Sequence, residues 1–100
     1  MAYYYKLELD SGDVRSGPYS TIVKSRKALL SAYKTKYMRK EPNAGLELYH
    51  NNDYIGRVDY APAIRRWVYL SEISGVASFL NVNGTLGKKL TNKDWNKIMG

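Results

Sequence analysis

Residues 20–41 form the one long stretch of this chain with a helical hydrophobic period, and strand-like patterns lie on both sides of it. Ser20 or Thr21 offers a side-chain oxygen to the free N–H groups at its start. Pro42 has neither the N–H nor the geometry to continue it, so the spacing predicts a helix over about 20–41. At about 100° per residue, Ile22, Val23, Leu29, Leu30, Ala32, Tyr33 and Tyr37 fall on one half of the cylinder. Lys24, Lys27, Ser31, Lys34 and Thr35 fall on the other. Arg26 breaks the pattern by projecting near the centre of the apolar stripe. Such an Arg either lays its stem on the core and carries its head to water, or pairs with a buried carboxylate.

Ahead of the helix, Tyr3, Tyr5, Leu7 and Leu9 alternate with Tyr4, Lys6 and Glu8, which reads as a strand. Asp10-Ser11-Gly12-Asp13 turns the chain, Val14–Ser16 returns as a short strand, and Gly17-Pro18 interrupts it. Behind the helix, Leu46–His50 and Tyr54–Tyr60 flank a turn at Asn51-Asn52-Asp53. Arg66–Ile73 follows, then Val76–Val82 and Thr85–Leu90 around Asn83-Gly84, the strongest hairpin signal in the chain. Thr91 to Asp94 can cap a short final helix anchored by Trp95 and by Ile98 or Met99. One amphipathic helix among short-linked strands predicts an α+β fold. Its expected form is a mainly antiparallel, meandering sheet of about five to six strands. The long helix packs on one face, and residues 1–100 make a single domain.

The chain has 100 residues, 44% of them hydrophobic and ten of them Tyr, so one modest core is within reach and a second is not. It has no Cys, which excludes disulfides and thiolate chemistry. No apolar run approaches the roughly 20 residues of a membrane span, and residues 1–9 lack the pattern of a secretory leader. The expectation is a soluble cytoplasmic protein with no membrane association and no cofactor.

The net charge of +7 is unevenly spread. Between Val14 and Lys40 there are eight basic residues and no acidic one. The tail adds Lys88, Lys89, Lys93 and Lys97 against Asp94 alone. Such asymmetry suits a polyanion or an acidic protein surface, and it equally suits a solvated helix face.

Motifs for catalysis are missing. The single His, His50, sits beside a turn with no visible nucleophile or acid in company. Asp10 and Asp13 are the nearest thing to metal ligands, and their place in a turn explains them. Gly84-Thr85-Leu86-Gly87-Lys88-Lys89 lacks the spacing of a phosphate-binding loop. The segment Gly87-Lys88-Lys89-Leu90, leading into a helix, resembles double-stranded RNA-binding domains, which also place a Lys pair at the start of a helix behind a three-stranded sheet. That resemblance covers these few residues only. The extra strands and missing Gly-rich spacing leave the chain outside the family.

A non-enzymatic binding domain is therefore expected, with nucleic acid as the leading partner. Lys24, Lys27, Lys34 and Arg39 would follow a phosphate backbone. Arg65, Arg66 and Trp67 would combine charge with a ring for stacking, and Lys88, Lys89 and Lys93 would form a second patch. The alternatives are a protein-binding accessory or inhibitory protein, of the kind phages and mobile elements encode, anchored by Tyr4, Arg66 and Trp67, and a module that self-associates through an open sheet face or edge.

Overall fold

In the computed structural model, which describes residues 2–100, seven antiparallel strands form one open sheet with a helix against each face. The strands are β1 (Tyr3–Leu9), β2 (Gly12–Tyr19), β3 (Gly45–His50), β4 (Asp53–Ala61), β5 (Arg66–Ser71), β6 (Ala77–Leu80) and β7 (Leu86–Lys89). The helices are α1 (Ile22–Lys36) and α2 (Asn92–Met99). The spatial order is β2-β1-β3-β4-β5-β6-β7. From β3 to β7 the sheet is the expected meander. At the other end α1 carries the chain back over the sheet, so that β3 pairs with β1 and leaves β2 at the edge.

The sheet has seven strands against the expected five to six, and β2 is longer than the three-residue return Val14–Ser16. It runs through Gly17-Pro18, with a register shift opposite, between Tyr3 and Tyr5. An edge strand tolerates Pro because the side facing solvent has no ladder hydrogen bond to lose.

The helix also departs from the expected 20–41. Thr21 caps it by accepting from the Lys24 backbone N–H at 3.1 Å. It ends five residues before Glu41, because the Tyr33 carbonyl takes the N–H of both Tyr37 and Met38 and the chain widens into a turn. The Tyr33 hydroxyl then donates to the Glu41 carbonyl at 2.8 Å, fastening the reversal that leads into β3.

The period-two alternation of the strands builds two apolar layers. Tyr5, Leu7, Leu46, Leu48, Val58, Trp67, Tyr69 and Leu80 point toward α1 and meet Leu29, Leu30 and Tyr33. Ala61, Val68 and Phe79 point the other way, where Leu90 and Ile98 of the α2 segment cover them. Thr91 and Asp94 close α2 with a reciprocal capping box, as the sequence predicts. Of the anchors expected there, Ile98 packs and Met99 is exposed.

Arg26 is 5% exposed and follows neither of its expected courses. Its Nε donates to the Gly84 carbonyl at 2.8 Å, and its guanidinium lies 5.0 Å from the Tyr69 ring centroid. The Asn83-Gly84 turn thus docks directly on the helix. A Cβ on Gly84 would fall 2.1 Å from the Val23 carbonyl oxygen, so only glycine allows this approach. Among the described residues, no helix is long and apolar enough to cross a membrane.

Candidate nucleic-acid interface

The outer face of α1 carries Lys24, Lys27 and Lys34, all exposed. Their spacing keeps them on one side of the helix over about 15 Å, at roughly 1.5 Å of rise per residue. Beyond the helix, Arg39 and Lys40 are exposed on the turn, and with Lys34 and Lys36 they ring a shallow depression of about 750 Å³. Part of this charge has a structural use. Lys34 and Lys36 lie in the last turn of α1, where the unpaired carbonyls carry partial negative charge.

What distinguishes the α1 side is the lack of neutralising partners. Among the described residues, ion pairs involve only Lys6 and Arg57. Lys6 lies 3.6 Å from Glu8, 3.5 Å from Asp13 and 4.0 Å from Glu47, while Arg57 holds Asp59 at 2.8 Å. Strand alternation puts all of these on the sheet face turned away from α1. There Glu8 and Glu47 titrate together. The hydrogen bond from Glu47 holds Glu8 below the usual carboxylate range, whereas burial and Glu8 push Glu47 above it. The lysines of α1 make no such contact. Lys24 bonds Ser20 Oγ at 3.1 Å, which leaves its charge uncompensated.

The tail is divided between the two faces. Lys89, on edge strand β7, lines a cleft beside Ile22 and Arg26 and so belongs to the α1 side. Lys88 is exposed on the same edge strand. Lys93 opens α2, which packs on the opposite face. The helix patch and the tail patch therefore do not form one continuous stripe.

The Arg65-Arg66-Trp67 group is also separated, for a simple geometric reason. Consecutive strand residues point to opposite faces. Trp67 is buried on the α1 side, edge-on to Tyr33 at 6.2 Å between ring centroids, so its ring is not offered to a base. Arg66 turns to the other face, 4.1 Å above the Phe79 ring. Arg65 is exposed in the preceding turn at a positive φ of 53°.

The sequence did not single out Arg15. Its guanidinium lies 4.3 Å from the Tyr4 ring and 5.8 Å from the Tyr49 ring, and its Nη2 donates to the Asn51 carbonyl at 3.0 Å. Extending β2 past Ser16 in antiparallel register would have paired Arg15 with Lys6 and revealed this outer face. His50 stacks on Tyr3 at 4.7 Å. Among the described residues, no group of three or more His, Asp or Glu could hold a metal ion. Comparison with protein-family models, curated proteins and solved structures finds no match to this chain.

Proposed function

We propose that this chain is a small, non-catalytic nucleic-acid-binding module whose contact surface is the outer face of α1 and the turn that follows it. Lys24, Lys27, Lys34 and Arg39 contact phosphates, Lys36 and Lys40 extend the patch, and Lys89 adds to it from the edge strand. The observation that carries this reading is the segregation of charge. The acids Glu8, Asp13, Glu47 and Asp59 pair on the far face, and among the described residues no carboxylate lies within ion-pair distance of the α1 cations. Unpaired, solvated ammonium groups along one helix are what counterion release requires. With Trp67 buried, the ring of the Arg65-Arg66-Trp67 group is not available for stacking, so the proposed contact is chiefly to the backbone and largely independent of sequence. Fluorescence anisotropy with labelled single- and double-stranded oligonucleotides tests it. The chain binds at low salt, and the Lys24→Glu/Lys27→Glu/Lys34→Glu variant does not.

A second reading has its own support on the opposite face. Arg15, over the Tyr4 ring and near that of Tyr49, with Tyr54 5.8 Å from Tyr49, has the composition of a protein-interface anchor. Substituting Arg15 and Tyr49 by Ala would abolish capture of a protein partner and leave oligonucleotide binding intact.

A further inference from the structure

We propose that the cleft between α1 and strands β5–β7 binds a small amphipathic carboxylate, with its head on Arg26 and Lys89 and its apolar body against Ile22, Ile73 and Leu86. The site shares only Lys89 with the proposed nucleic-acid surface, which otherwise uses the outer face of α1 and the turn after it.

The argument begins with Arg26. A buried guanidinium is stable only when its donors and its charge are met. Nε is met by the Gly84 carbonyl. Tyr69 meets another part of the group, by its ring and by its hydroxyl oxygen, whose proton is already given to the Ile55 carbonyl at 3.2 Å. The charge itself is not met, because no carboxylate pairs with Arg26 among the described residues. Nor is the group sealed in. Arg26 lines the cleft, and among the described residues none of its nitrogens is both buried and unpartnered.

The cleft is built for an anion with an apolar tail. It is an open cleft of about 380 Å³, within the size range of small-molecule sites. Its lining contains two cations, Arg26 and Lys89, and no Asp or Glu. Ser78, itself 7% exposed, lines the same space, and its hydroxyl has no hydrogen-bond partner among the described residues. The rest of the wall is aliphatic. Ile73 and Leu86 stand at the rim, 79% and 42% exposed. A planar carboxylate matches the fork of a guanidinium, and its charge replaces the missing counterion.

Titration of the full chain with octanoate, followed by amide NMR shifts and calorimetry at near-physiological salt, tests the site. Octanoate should bind saturably at one site and shift Tyr69, Ser78 and Leu86. Octanol, which lacks the charge, and acetate, which lacks the tail, should each bind at least about tenfold more weakly. Arg26→Met should abolish binding. Because that change also removes a core contact, Lys89→Glu on the exposed edge strand provides a second arm, with about tenfold weakening expected and Lys34→Ala as an unaffected control. The proposal is overturned by the absence of saturation at about 5 mM octanoate. Octanol binding as tightly as octanoate, or an equal loss in Lys34→Ala, overturns it as well. Octyl phosphate binding more tightly than octanoate would replace the carboxylate with a phosphate head and overturn the assignment made here.

Discussion

The Nε of Arg26 donates to the carbonyl of Gly84 at 2.8 Å, joining the second turn of α1 to a hairpin turn 58 residues further along the chain. This contact lets the β6–β7 hairpin close against α1, and it places a buried cation beside the cleft. Two groups of unlike origin meet there. One is a charged side chain on an otherwise apolar stripe. The other is a turn glycine whose backbone reaches the helix backbone because it has no Cβ.

Gly84→Ala should therefore be costly. The new methyl would lie 2.1 Å from the Val23 carbonyl oxygen and 2.9 Å from the Lys27 amide nitrogen, at a φ of +90° that alanine disfavours. Overpacking and backbone strain together predict a loss of about 2–4 kcal/mol in urea unfolding. A loss under about 0.5 kcal/mol, the range of neutral surface changes, would show that the turn does not seat on α1.

Arg26→Met keeps much of the apolar stem and removes the donor. The Gly84 carbonyl is left without its partner, at a cost of about 1–3 kcal/mol. Combined with Gly84→Ala, the two losses should be clearly less than additive, since both break the same contact. Full additivity in a double-mutant cycle would separate the two residues energetically.

The α2 cap gives a pH signature. The backbone N–H and hydroxyl of Thr91 hold the Asp94 carboxyl below its ordinary value. Because the folded pKa lies below the unfolded one, the contribution of Asp94 is fully present above the unfolded value and is lost as pH falls through the folded one. Trp95, the next residue, reports on it. Its fluorescence should shift only in strongly acidic solution, below the ordinary aspartate range, and Asp94→Ala should show that shift already at neutral pH.

Lys6 stands among Glu8, Asp13 and Glu47 on the far face. Burial and Glu8 raise the folded pKa of Glu47, so its protonation favours the folded state below the unfolded value, an advantage lost as pH rises through the folded one. Lys6→Met should destabilise the protein slightly at neutral pH and progressively less as pH falls and Glu47 gains its proton. A deficit that stays constant with pH in thermal melts would contradict this charge arrangement.

The sequence revealed most of the fold and only part of the site, for reasons visible at particular residues. The apolar stripe and Thr21 placed α1, but Pro42 marks only the last position a helix could reach, and the real end depends on Tyr33 receiving two amides. Gly17-Pro18 looked like a break because the pattern does not say that β2 is an edge strand. Arg66-Trp67 looked like one recognition element, yet the strand period sends the two side chains to opposite faces. The Asn83-Gly84 turn was legible from local chemistry. Its seat on α1 was not, because nothing in either segment alone encodes the other.

The salt dependence of oligonucleotide binding tests the proposed function most directly. If α1 is the contact surface, the logarithm of the binding constant falls linearly with the logarithm of salt concentration. Replacing Lys24, Lys27 and Lys34 by Ala should reduce the magnitude of that slope by about 2–3, each phosphate contact contributing roughly 0.7–0.9. An unchanged slope in the triple variant, or no binding by the unaltered chain at low salt, would contradict it.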